Sequence, residues 1–339
     1  MDSSDLRLYK TKANGRMSDS EILTGRVQNL LTHVSSSQRT AGYFDYYKMW
    51  WHVADDSDGV GTDPQMYWDF PTLSTDDYVM FFEIGDRVAI EDIPGYATGT
   101  DTEDKYGTAI LDVAIVAGES VAVVTVKNAA MATGSDIIFR DGETIKITDK
   151  VTDTTVTGNE EIHTINGTPG VSGTTVTITI DSTFANDYAA NGVVRVRSVV
   201  KPSTDYETSV TAVTTTSVGD GDYDDTTYPP IMDNIGTVDE DWTITFTTAT
   251  EFRLDGDSLG NGVDTGSTAA SFSPSNAGRS RPYFTLNLAG FSGTFQAGDT
   301  LTFTTSPAAK GLGVKRVVPP ASGSLANNKI GAVLVVEAS

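Results

Sequence analysis

The stretch DWTITFTTATEFRLD, residues 241–255, alternates Trp242, Ile244 and Phe246 with threonine, then Phe252 and Leu254 with charged residues. A period of two puts the apolar side chains on one face of a strand and the polar ones on the other. Working outward, the pattern recurs in TAILDVAIV (108–116), VAVVTVK (121–127), TTVTITID (174–181), GVVRVRSVV (192–200), RPYFTLNL (281–288), DTLTFTTS (299–306) and AVLVVEAS (332–339). Glycine, proline, aspartate and asparagine punctuate these runs, and no series of amphipathic helices separates them. The expected fold is all-β, a sandwich or barrel core carrying an inserted small β-domain and an N-terminal arm or short helix.

The expected domain boundaries are 1–40 for the arm, 106–200 for the inserted β-domain, and 41–105 with 201–339 for the main β-sandwich. Within the arm, Ser18 and Glu21 have capping-box spacing, and Leu23, Val27, Leu30, Leu31 and Val34 recur at helical intervals, although Gly25 weakens the pattern. The flanking KTKANGRMS and SSSQRTAGY read as loops. This segment either orders against a neighbouring molecule or covers one end of the sheet.

The chain has 339 residues, 38% of them apolar, no cysteine and a formal charge of −23, which describes a soluble protein with enough apolar content for a sizeable core. Without cysteine there are no disulfides, thiolate metal sites or cysteine nucleophiles. No apolar run approaches the roughly 20 residues of a membrane helix, so membrane insertion is not expected. MDSSDLRLYK lacks the order of a signal peptide, which fits synthesis in the cytoplasm. The acidic residues cluster in ADDSDGVGTD (54–63), DGDYDD (220–225) and VDEDW (238–242). That sign opposes phosphate binding, so sequence-specific nucleic-acid binding is not expected. The acids serve solubility, or keep a conduit from sticking to DNA that passes through it.

Candidate chemistry is sparse. In GNEEIHTING (158–167) a regular strand would put Glu161 and His163 on one face, about 6.6 Å apart along the axis, with Glu160 and Ile162 on the other. A metal would need further ligands, and His33 and His52 are remote in sequence. With no third partner identifiable, the expectation is a structural strand edge bounded by turns at Gly158 and Asn159 and at Asn166 and Gly167. Asp220, Asp222 and Asp224 start like a calcium loop but lack the glycine and the closing acid. Asp56 with Gly61 has the glycine, but Tyr67 stands where the bidentate acid belongs. Both read as acidic turns. GVG (59–61) and GLG (311–313) read as loop glycines, and no nucleophile elbow, phosphate loop or dinucleotide fingerprint appears.

Tyr43, Phe44, Tyr46, Tyr47, Trp50, Trp51, Tyr67, Trp68 and Phe70 form an aromatic concentration. Trp50 and Trp51 must face opposite sides of a strand, so one fills a core while the other reaches a partner or a neighbouring layer. A sugar platform is the competing reading.

The succession NGRMSDSEILTGRVQNL, YYKMWWHVADDSDG, DPQMYWDFPT, FRDGETIKITDK, TGNEEIHTI, WTITFTTATEFRLDGDSLG, PYFTLNLAGFSGTFQAGDTLTFTTSPAA and KRVVPP resembles a family of virion structural proteins of tailed bacteriophages, Mu-like transposable phages included. The middle unit is similar to small β-domains of phage tail tubes, baseplates and fibres. The resemblance implies a non-enzymatic virion protein without cofactor, working as identical copies in a ring or tube beside other virion proteins, with the tail the first choice of position. A capsid decoration or neck protein is the alternative, and a receptor- or glycan-binding module the alternative of another class. The N-terminal arm and the C-terminal KRVVPPASGSLANNKIGAVLVVEAS are expected between subunits, with Lys315 and Arg316 meeting a neighbour's acidic loops.

Overall fold

A computed structural model describes residues 5–22, 30–70, 76–151, 157–324 and 331–338; of Phe70 and Ala338 it describes the backbone. The fold is all-β, built mainly of antiparallel sheets around three large apolar cores. No helix among the described residues is long and apolar enough to cross a membrane.

The first unit is a two-layer sandwich. One sheet runs in the order Met17–Glu21, Leu6–Thr11, Tyr43–Val53, Ala309–Val318, Tyr78–Glu83, Lys105–Tyr106. The other pairs Gly61–Phe70 with Gly331–Ala338 and is extended by bridges from Gly61 to Tyr206 and from Met66 to Val200. Met49, Trp51, Val53, Trp68, Phe81, Leu312 and Val314 fill the space between, with Trp68 and Phe81 stacked at 3.7 Å. The glycines of GLG lie inside the central strand rather than in a loop. A Cβ at Gly313 would stand 2.2 Å from the Phe82 ring, so this position carries no side chain because the ring occupies its place.

The second unit is the seven-stranded sheet Glu160–Thr164, Thr144–Thr148, Arg195–Ser198, Thr108–Leu111, Val121–Thr125, Thr175–Thr179, Gly170–Ser172. It curls until Ile165 and Ile180 form a bridge, flanked by hydrogen bonds from Asn166 N–H to Thr179 O and from Asp181 N–H to Thr164 O. Ile138, Ile145, Ile147, Ile178, Phe184 and Val196 are buried inside.

The stretch 241–255 supplies the two central strands of the third unit, Glu240–Phe246 and Glu251–Gly256, paired from Trp242 opposite Gly256 to Phe246 opposite Phe252. Thr300–Ser306 and Gly260–Ser267 flank them, and Ser209–Val210 and Thr214–Thr216 pair with Thr300–Ser306. Trp242, Ile244 and Phe246 point inward among Phe252, Phe284, Phe295 and Phe303. Residues 201–339 therefore do not join 41–105 as one sandwich. The strands between Ser209 and Ser306 enclose their own core, and the chain re-enters the first unit only at Ala309.

The N-terminal segment also differs from expectation. Ser18 and Glu21 lie in the strand Met17–Glu21, Leu30, Leu31 and Val34 are outside any helix, and Leu23, Val27 and Gly25 lie outside the described residues. The helix is Ser36–Ala41, within the segment read as a loop, and its capping box is Ser35 with Gln38. Leu6–Thr11 pairs residue by residue with Tyr43–Val53, which makes it part of the sheet rather than an arm.

Candidate functional site

Glu161 and His163 share one face of the strand Glu160–Thr164, while Glu160 turns away to Lys146 at 3.0 Å. Glu161 accepts hydrogen bonds from Ala185 N–H at 2.8 Å, Asn186 N–H at 2.9 Å, Asn186 Nδ2 at 2.8 Å and Tyr188 OH at 3.1 Å. Burial alone would raise its pKa; these donors outweigh burial and hold the carboxyl below its ordinary range. His163 Nε2 lies 3.0 Å from Glu161 Oε2, and Nδ1 lies 2.8 Å from Ser182 Oγ. The ring packs edge-on against Phe184. The pair thus has a third partner, contributed by the loop 181–188. Nothing in the spacing signals it, because two strands, Gly170–Ser172 and Thr175–Thr179, and their turns lie between His163 and Ser182 along the chain.

The acidic clusters hold the chain to itself. Asp55 accepts from the N–H groups of Ser57 and Gly59, and Asp58 from Asn234 N–H. Asp220 accepts from Thr294 N–H, Asp224 from Thr226 and Thr227, and Asp225 from Val213. The carboxylates of Asp220, Asp224 and Asp225 are thus spent on different backbone segments. No group of three ligating side chains that could hold a metal ion occurs among the described residues. In VDEDW, Asp239 and Asp241 take Arg87, and Glu240 takes Arg16 at 3.4 Å, which joins the third unit to the first.

Lys315 and Arg316 are buried, contrary to the expectation that they meet a neighbour. Lys315 Nζ reaches Asp136 at 2.7 Å, Asp101 at 2.9 Å and Gly99 O at 2.9 Å, while Arg316 pairs with Asp45 and donates to Thr32 O. Lys105 also pairs with Asp101, which accepts from Tyr46 OH at 2.6 Å; Asp136 accepts from Tyr78 OH at 3.1 Å. Two ammoniums, two carboxylates and two phenols, all of them buried, thus join the first unit to the second. Burial lowers the Lys105 pKa and raises those of Tyr46 and Tyr78, whereas hydrogen bonds from Lys105, Tyr46 and Lys315 overcome burial at Asp101 and hold its carboxyl low.

The aromatic cluster is largely interior. Trp51 and Trp68 belong to the main core, and Tyr46 and Tyr67 are buried. Trp50 faces the opposite side with Tyr9, Met17 and Ala309, beneath the Lys48 ammonium. His52, on that same side, contacts Asn234 O of the third unit at 2.6 Å. The neighbouring layer is therefore supplied within the chain, and these buried rings offer no platform to a sugar.

Surfaces open to a partner lie at sheet edges. Among the described residues, Gly331–Ala338 pairs on one side only, with Gly61–Phe70. Its Leu334 is buried, while Val335 is 37% exposed. Gly170–Ser172 is an outer strand too, beside an apolar hollow of about 380 Å³ lined by Met131, Ile137, Phe139, Val171 and Val176. No family model, curated protein or solved structure matches the chain.

Proposed function

We propose that this chain is a non-enzymatic structural protein of a tailed-bacteriophage virion, present in many identical copies, and a component of the tail as part of its tube or baseplate. The observation that carries this reading is the strand Gly331–Ala338. Among the described residues no strand pairs with its outer edge, which leaves backbone donors and acceptors available to another strand, and Val335 adds exposed apolar surface there. Gly170–Ser172 provides a second edge elsewhere on the molecule. Two different edges favour head-to-tail contacts, which close into rings or continue into tubes. Ion-paired junctions between the three units give each copy a fixed shape, and the net charge of −23 would let DNA pass without adhering.

The test is size-exclusion chromatography and electron microscopy of the purified protein. Rings or tubes are expected, and Val335→Lys should reduce the assembled fraction about tenfold or more, equivalent to ~1.4 kcal/mol per contact, with the circular dichroism unchanged. A monomer at every concentration would count against assembly. Binding to empty capsids in place of self-assembly would move the protein to the capsid surface, and retention on host polysaccharide would make it an adhesion module.

A further inference from the structure

Ser182 is exposed, and its hydroxyl points at the imidazole of His163. Which ring nitrogen holds the proton follows from the chemistry of the other neighbour. An ionised carboxylate only accepts, so His163 Nε2, at 3.0 Å from Glu161 Oε2, must be the N–H. In the neutral imidazole Nδ1 is then the lone pair, and at 2.8 Å it is placed to accept the Ser182 proton. Asp181 Oδ1 is a second acceptor for that proton, but at 3.3 Å it is the longer contact. The carboxylate is itself immobilised by Ala185, Asn186 and Tyr188, and Phe184 holds the ring from the side. The order of groups is hydroxyl, imidazole, fixed carboxylate, the arrangement by which a base activates a serine nucleophile on unrelated folds and in different chain orders.

We propose that Ser182 is a base-activated nucleophile that takes up an acyl group from an activated ester, with His163 as its base and Glu161 as the positioning residue. The Ser182 Oγ–H proton passes to His163 Nδ1 as Oγ bonds to the acyl carbon. The bond from that carbon to the leaving oxygen breaks, and the alcohol departs with the proton returned by the imidazolium. The product is an O-acyl serine, formed once per chain. This chemistry is independent of assembly, since neither sheet edge discussed above contains these residues.

The experiment treats the full-length protein with p-nitrophenyl acetate and maps acetyl groups by peptide mass spectrometry. Ser182 is expected to acetylate at least tenfold faster than Ser280, an exposed serine of the same molecule that lies in neither sheet edge proposed for assembly. His163→Gln should lower the Ser182 rate at least tenfold, Glu161→Gln should lower it less, and Ser182→Ala should abolish the adduct. Equal rates at Ser182 and Ser280 in the unaltered protein would overturn the proposal without any variant. So would an unchanged Ser182 rate in His163→Gln.

Discussion

Replacing Asp101 with asparagine would take from the buried ammonium of Lys105 its carboxylate and leave Lys315 with that of Asp136. Breaking a buried ion pair by removing one partner strands a charge in low dielectric, at a cost of about 3–5 kcal/mol. Asp101→Asn is therefore expected to lower the unfolding free energy measured by urea titration by an amount of that order, while Arg253→Ala, which removes an exposed partner of Asp255, should change it little. The junction was not legible in the sequence. Lys315 and Arg316 read as a rare basic pair in an acidic chain, and surface exposure is the ordinary place for such residues. Their acidic partners Asp136 and Asp45 lie 179 and 271 positions away, and no local pattern reports a contact of that range. Glu161 and His163 were legible as neighbours on one face because strand periodicity is local. Ser182 was not, for the same reason that hid Asp136.

Among the elements, the strand signal survived and the helix signal did not. Trp242, Ile244 and Phe246 alternate with threonines and are buried as the alternation requires. Ser18 and Glu21 have the spacing of a capping box, yet the same four-residue interval fits within a strand, and pairing of Met17–Glu21 with Leu6–Thr11 decided between them. The working box, Ser35 with Gln38, was hidden in a serine run that reads as loop. Leu6–Thr11 gives a test at this scale. It pairs with Tyr43–Val53 from Leu6 opposite Val53 to Lys10 opposite Met49, and Tyr9 packs on Trp50 with Met17. Burying side chains of this size is worth ~1.5–3 kcal/mol each. Removing residues 1–17 should therefore lower stability by several kcal/mol and reduce the β-sheet circular dichroism, measured in thermal and urea unfolding. A dispensable arm would leave both unchanged.

At the scale of the whole molecule, the sequence disclosed the β class but not its division into cores, since the return from the third unit to the first at Ala309 has no compositional mark. The three units are held together by groups whose protonation matters, which makes pH a probe of the entire fold. Burial raises the pKa values of Tyr46, Tyr78, Tyr188 and Tyr206 above the ordinary 10.0, with neighbouring carboxylates adding to the shift. A raised folded-state pKa means that the native chain keeps a proton which the unfolded chain gives up. The resulting stability is present in full below the unfolded value and is lost as pH rises from there toward the folded ones. Tyr46 and Tyr78 sit in the junction between the first two units, Tyr188 donates to Glu161 in the second, and Tyr206 bridges to Gly61 in the first. Their ionisation therefore requires the units to open. In an alkaline titration followed by near-ultraviolet absorbance, the less buried tyrosines should ionise gradually, and these buried ones in one steep step together with the loss of the β-sheet circular dichroism. Smooth ionisation of every tyrosine near pH 10 with the dichroism intact would show that solvent reaches these phenols in the native chain, and that burial does not set their protonation.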